Sequence, residues 1–318
     1  MLCLESVLQS ARPPRWVIVV DNASATDAVD AVRRWAAGDL PSGNTAYAEL
    51  LPRSISKPYP LLVTTPAEAA AHIPAKRDDE KPQLLLLRNL VNTGYTGGNN
   101  AGLRVGLAMG ADAFWILNND TIVTPDACGA LYDRLFACPR PGLAGGLLCY
   151  LSEPGTVQCR GGGYTNRYFF LSHLNGQHAP RAEALQTPAH VVEENLSFIY
   201  GASVMVSRAF LQTVGLMDER LFLYYEEQDW AWANAGRFDL GYAPEAVVYH
   251  KEGGSRQLVG LDRLSRKQLW FFARNRLLLT WKHFPLALPT VGAGMAFAAG
   301  RLLWRRLRAK NGAGRQAF

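Results

Sequence analysis

The chain has 318 residues, 48% of them hydrophobic, which is enough to bury a large core in a single α/β enzyme carrying a tail. Its net charge of +6 comes with no nucleic-acid motif and with basic residues gathered after position 300, which argues against a nucleic-acid partner. Five cysteines (Cys3, Cys128, Cys138, Cys149, Cys159) form no CxxC pair and no ligand spacing. With no signal or transit segment read at the start, they suit free thiols in a reducing cytosol.

In chain order, Trp16–Val20 is β-branched and apolar and predicts a strand that ends in Asp21 and Asn22. A carboxylate there can accept hydrogen bonds from a base N–H or a ribose hydroxyl, or serve only as an Asx-turn or cap residue. A helical pattern follows over 26–35. Residues 38–82 then interrupt the chain with seven prolines, a charged run over 76–81 and one apolar island at Leu61–Val63. This stretch predicts a surface insertion, partly ordered at best, to which no chemistry is assigned.

Leu84–Leu87 predicts a short buried strand. The loop after it holds Asn92, Gly94, Gly97, Gly98, Asn99 and Asn100 ahead of a helix predicted from near Gly98 to Met109. Glycines allow close backbone approach and a helix N-terminus offers N–H groups to an anion, so a nucleotide diphosphate is one occupant; a plain glycine-rich connection is the other reading. Phe114–Leu117 predicts a further strand, ending in Asn118, Asn119 and Asp120. Beyond the carboxyl end of such a strand, Asp120 could ligate a phosphate-bound divalent cation or simply complete a polar turn.

In the second half, Glu226, Glu227 and Asp229 fall within four positions, flanked by Tyr225 and Trp230. An apolar setting raises a carboxylate's pKa and prepares it as a general base, whereas at a helix start the same residues could serve only the macrodipole. The strand-like Ala246–Tyr249 ends in His250, whose neutral imidazole would suit a divalent metal. Gln268–Pro285 reads as an aromatic-rich amphipathic helix. Residues 284–300 carry no charge and are broken by prolines and glycines, and Arg301, Arg305, Arg306, Arg308, Lys310 and Arg315 follow. That combination predicts an interfacial helix at an anionic membrane surface, or one packed on the enzyme itself.

Taken together, VIVVDNAS, NTGYTGGNNAGL, WILNNDTIV and YGASVMVSR with VGLMDERLFLYYEEQDW resemble the inverting glycosyltransferases of family 2, in particular their rhamnosyltransferase-like branch. The resemblance implies a GT-A fold, with helices around a mostly parallel central sheet. It spans about residues 2–284 and makes 1–283 the catalytic domain and 284–318 the tail. It implies a nucleotide-sugar donor contacted by Asp21, Asn22, Asn92, Gly94, Gly98, Asn99, Asn100, Asn118 and Asn119. Mg²⁺ or Mn²⁺ would sit on Asp120 and His250. Glu227 matches the general base, with Glu226 and Asp229 beside it, and Tyr225 and Trp230 are assigned to a glycan or lipid-linked glycan acceptor. Asn118 stands where the family's metal motif has its first carboxylate. The resemblance also implies a strand before a helix over 2–10, and no such strand is in this sequence. A cytoplasmic enzyme held peripherally at the membrane is the expected setting. A nucleotidyltransferase would need a basic glycine-rich loop near its start, which is not visible, and a catalytically silent sugar-nucleotide-binding protein is the non-enzyme alternative.

Overall fold

The structure is a computed structural model. It describes residues 1–41, 47, 50, 55–72, 81–251 and 265–313, with the side chains at 302, 303 and 305–313 outside the description. Within the predicted insertion over 38–82, residues 42–46, 48–49, 51–54 and 73–80 thus lie outside the description, as do the side chains of every basic residue predicted at the tail except Arg301.

The elements run α1 (Leu2–Leu8), β1 (Trp16–Asp21), α2 (Ala28–Ala37), β2 (Leu61–Thr64), α3 (Pro66–His72), β3 (Gln83–Arg88), α4 (Gly94–Ala108), β4 (Ala113–Leu117), β5 (Thr121–Val123) and α5 (Ala127–Ala137). They continue with β6 (Pro141–Tyr150), β7 (Glu153–Arg160), β8 (Gly162–Asn166), β9 (Leu171–Leu174), α6 (Arg181–Gln186), α7 (Ala189–Glu193), β10 (Phe198–Ile199), β11 (Ser203–Ser207) and α8 (Arg208–Thr213). The last are α9 (Glu226–Asn234), β12 (Asp239–His250), α10 (Arg266–His283), a 3₁₀ turn at Pro285–Ala287, and α11 (Leu288–Ala313).

A three-stranded parallel sheet, ordered β1-β3-β2, forms the N-terminal half. Leu84, Leu85, Leu86 and Leu87 of β3 are all buried, as expected for a central parallel strand covered on both faces. The apolar island at Leu61–Val63 is the edge strand β2, so the proline-rich stretch contributes to this sheet and also supplies α3. Asp27 caps α2 by accepting from the Asp30 N–H, and Gly38 ends it with φ 99°. Val29, Val32 and Trp35 turn inward from α2, and the Trp35 indole donates to Glu5 Oε1 of α1 at 2.9 Å.

The larger sheet is ordered β4-β11-β6-β12-β5, with β7 paired to β6. Here the predicted mostly parallel sheet does not hold. Only β6 and β12 run parallel; β4·β11, β11·β6, β12·β5 and β6·β7 are antiparallel. The reason lies in the pairing. β11 inserts in reverse between β4 and β6, and β7 folds straight back on β6 across a short turn, as antiparallel neighbours can. The architecture is mixed α/β.

β1 and β4 each end their sheet, so each presents a free edge. The C-terminal α10 opens with a capping box between Ser265 and Gln268 and packs, with Ala287 and Val291, on a cluster containing Phe170, Leu221, Tyr224 and Tyr225. Among the described residues, no helix is long and apolar enough to cross a membrane.

Candidate active site

A cavity of about 1420 Å³ opens where the two sheets meet. It is lined by Asp21 and Asn22 from the end of β1, Gly94, Gly98 and Asn99 from α4, Asn118, Asn119 and Asp120 after β4, and Glu226 and Glu227 from α9. Every residue of β1 and of β4 also lines it. A sheet face would present alternate residues; consecutive ones mean that the cavity runs along the two free backbone edges.

The glycine-rich start of α4 is built differently from its prediction. The helix begins at Gly94, four residues before Gly98. Its first N–H groups are already occupied: Gly94 donates to Asn92 Oδ1 at 2.9 Å, and Tyr95 donates to the Phe222 carbonyl at 2.7 Å, with Thr96 near the same oxygen at 3.4 Å. An anion therefore does not find open amides at these three positions. The glycines serve close packing instead. Gly94 has φ 75°, and a Cβ on it would lie 2.3 Å from the Phe222 carbonyl oxygen, while a Cβ on Gly98 would press on the Asn22 amide at 3.2 Å. Asn22 ties the loop together: its Oδ1 accepts from Asn89 Nδ2, Thr93 N and Thr93 Oγ1, and its Nδ2 donates to the Gly94 carbonyl at 2.7 Å. Asp21 Oδ1 accepts from Ser24 N at 3.2 Å, an Asx turn that leaves the carboxylate on the cavity wall.

Asp120 and His250 are brought together by β5 and β12, which pair Thr121 with His250. His250 Nε2 lies 3.3 Å from Asp120 Oδ1. Gln158 Oε1 is 2.9 Å from His250 Nδ1; in the tautomer that donates to it, Nε2 presents its lone pair toward the carboxylate. The imidazole is 1% exposed, and its Nε2 has no hydrogen-bond partner. A carboxylate oxygen and an imidazole lone pair converging in this way fit a divalent cation. They are two donors, however, and among the described residues no group of three or more His, Cys, Asp or Glu could hold a metal. The remaining ligands would have to be oxygens of a bound diphosphate or water.

Glu226 and Glu227 start α9 with their carboxylates buried. The pKa values of both are raised, chiefly by desolvation; for Glu226, whose value lies well above the ordinary range, the charge of Glu227 adds to this. Backbone N–H groups, including that of Gly201, partly offset the rise at Glu227, and one oxygen of each carboxylate has no hydrogen-bond partner. Close by, the Tyr95 hydroxyl donates to the Gly201 carbonyl at 2.7 Å. Two buried carboxylates that repel each other favour one shared proton, which leaves the other carboxylate able to accept one.

Six of the predicted site residues do not line the cavity: His250 stands behind Asp120, Asn92 stays in the loop, and the other four are held elsewhere. Asn100 is buried and holds Met217 through its N–H and its carbonyl, also donating to Glu219. Trp230 is in the core against Phe210, with its indole donating to the Gly215 carbonyl. Tyr225 packs edge-on to Phe170 and against Phe272. Asp229 points the other way along α9, where Lys282 Nζ reaches it at 2.8 Å and His283 Nε2 at 2.7 Å. In each case packing or an ion pair from distant sequence claims the side chain. Asn92 stays at the loop, accepting from Gly94 N.

No family model and no curated protein matches this chain. The chain is similar in structure to a number of solved proteins, three nucleotide-bound ones among them. The mannosyltransferase PcManGT of Pyrobaculum calidifontis, in complex with GDP-Man and Mn²⁺, aligns over 98% of this chain and 74% of its own, with 16% identity and a TM-score of 0.46. TarS of S. aureus, in complex with UDP, aligns over 87% and 60%, with 12% identity and a TM-score of 0.41. GalNAc-T7 with UDP, GalNAc and Mn²⁺ aligns over 53% of this chain, with 16% identity and a TM-score of 0.41; the alignment spans about a third (32%) of GalNAc-T7.

Sequence reasoning did not find Gln158, Gly201, Lys282 or His283. Gln158 sits mid-strand in β7, 92 positions from the histidine it orients, and nothing in its own neighbourhood marks it. Lys282 and His283 end α10 and carry a signal only once α10 is known to lie against α9.

Proposed function

We propose that this chain is a glycosyltransferase that moves a sugar from a nucleotide-diphosphate donor to an acceptor hydroxyl with inversion, Glu227 being the general base. The observation that supports this is the cavity itself, which has Asp21, Asp120 and the buried Glu226–Glu227 pair around it, with His250 3.3 Å behind Asp120. In this reading Asp21 accepts from the base or ribose, and Asn118 and Asn119 line the donor's path. Asp120 and His250 would hold Mg²⁺ or Mn²⁺, which neutralises charge on the departing diphosphate. Glu227 takes the acceptor's proton as the hydroxyl oxygen attacks the anomeric carbon and the glycosidic bond to the diphosphate breaks. Repulsion between the two buried carboxylates keeps the pair from ionising together, and Glu226 is the neighbour that shares its proton. Asp229 is engaged by Lys282 and His283 and takes no part in the transfer.

The family resemblance adds a rhamnosyl donor and a glycan or lipid-linked glycan acceptor. Exposed aromatics on α10 and α11 support placement at an anionic membrane surface. One observation favours a second reading, a sugar-nucleotide-binding protein without transfer: the cavity is not closed between β1 and β4, and Asn118 brings no charge to the donor site.

Calorimetric titration with UDP, GDP and dTDP, each with Mn²⁺ or Mg²⁺ and again in excess chelator, tests the donor site. At least one nucleotide is expected to bind only with metal, and Asp120→Ala should abolish that binding while Asn118→Ala weakens it far less. Metal-independent binding that survives Asp120→Ala would overturn the assignment. With the matching sugar nucleotide, Glu227→Gln should lower turnover by roughly 10²-fold or more while donor affinity holds, and unchanged turnover would move the base elsewhere.

A further inference from the structure

The loop 221–225, between the cavity's two functional helices, holds three bulky residues in the left-handed region: Phe222 at φ 64°, Tyr224 at 75° and Tyr225 at 72°. Such side chains remain there only where their surroundings hold them. Tyr225 is the N-cap of α9 and offers it no side-chain cap, so the direction in which Glu226 and Glu227 enter the cavity is set by the loop. At its other end the Phe222 carbonyl caps α4.

What holds the loop comes from α10. Asn275 is 0% exposed, and its Nδ2 donates to the carbonyls of Leu221 at 2.9 Å, Leu223 at 2.8 Å and Tyr224 at 3.1 Å. An amide has two hydrogens, so three acceptors require one to be shared. Arg274 donates to Asn275 Oδ1 at 2.9 Å and reaches the carbonyls of Arg220 and Leu221. A single buried amide thus gathers three carbonyls of a strained turn that ends where the carboxylate pair begins.

We propose that Asn275 is a positioning residue for the Glu226–Glu227 pair, holding the turn that aims both carboxylates into the cavity. This rests on the reading of Glu227 as the base. Without the donors, the three carbonyls lose their shared partner, the turn relaxes from positive φ, and the pair moves relative to the groups facing it. Those groups are Tyr95 on α4, Cys159 on β7, and Tyr224 and Tyr225 in the turn, with Tyr200 next to Tyr95 and Arg276 next to Tyr225.

Infrared titration of the full chain, following the C=O band of protonated carboxyls, reads the pair without any substrate. The band is assigned by its loss in Glu226→Gln and Glu227→Gln. In Asn275→Leu, which keeps side-chain volume and removes both donors, its midpoint should shift by about one pH unit or more. Asn275→Ser, with one donor, should shift it less and serves if the leucine variant does not fold. Thr280→Val, buried on the same helix but bonded only to the Arg276 carbonyl, controls for simple loss of stability and should leave the midpoint in place. Lowered melting temperatures in the Asn275 variants with the midpoint unmoved would overturn the proposal. A moved midpoint together with full turnover in Glu227→Gln would leave the positioning role standing and remove the base.

Discussion

At the scale of single residues, burial decides what the acidic cluster can do. Glu226 and Glu227 are raised in the folded protein, above all by desolvation, and in the unfolded chain they ionise in the ordinary carboxylate range. As pH climbs from that range toward the raised values, the unfolded state gives up protons that the folded state keeps, so stability falls with rising pH. Glu226→Gln removes one of the groups responsible. It should therefore stabilise the protein at pH 8 and make little difference near pH 4. Denaturant unfolding of both proteins at the two pH values checks this, and an equal gain at each would point to packing rather than charge. The same sign applies to turnover: under the proposed role of Glu227 it acts as a carboxylate, so the acid limb of the rate profile should lie above the ordinary carboxylate range. That three carboxylates fall within four positions among aromatic residues was legible in the sequence. Which of them faces the cavity was not, because Asp229 is claimed by Lys282 and His283, more than fifty positions on.

At the scale of elements, the start of α4 shows a glycine doing something other than what its motif suggests. Gly94→Ala meets both a positive φ and a Cβ contact of 2.3 Å with the Phe222 carbonyl, whereas Gly110, at φ 80°, has nothing within 4 Å. Gly110→Ala should therefore cost about 1 kcal/mol and Gly94→Ala roughly 2–4 kcal/mol, with nucleotide affinity falling only in the second. Parallel denaturant melts and calorimetry would separate them, and equal losses would mean that the Phe222 contact yields freely. Strand positions were readable where composition alone fixes them, as in Leu84–Leu87, whose burial on both faces needs an unbroken apolar run. Strand direction was not. It depends on β11 returning between β4 and β6 over contacts far apart in sequence, which leaves no local mark. The facing edges of β1 and β4 carry their own consequence. Amides that point into the cavity should exchange with deuterium faster than those of β3, and equal protection across the three strands would mean that the edges are covered in solution.

For the whole molecule, the tail has two faces. Ala287 and Val291 are buried against Phe170 and Leu279, so the start of α11 is part of the packed body. Outward, Trp270, Leu277 and Trp281 recur along one stripe of α10, 55%, 39% and 64% exposed, and Leu286 and Phe297 add 96% and 68% beyond it. Spacings of seven and four keep the first three on one helical face, and Trp at such a face suits the headgroup level of a bilayer. Arg301 and the basic residues after it follow in sequence and supply attraction to anionic lipid. The protein should then sediment with vesicles containing phosphatidylglycerol, less with phosphatidylcholine alone, and less again as salt screens the charges. Deleting the tail would strip Ala287 and Val291 from the core and confuse lost binding with lost folding. The cleaner variant combines Trp281→Ser, Leu286→Ser and Phe297→Ser, which leaves the buried face intact. Three apolar groups withdrawn from the bilayer should reduce partitioning by roughly 10²-fold. If the triple variant and the wild type sediment alike, the exposed face does not meet lipid and the acceptor need not be membrane-bound.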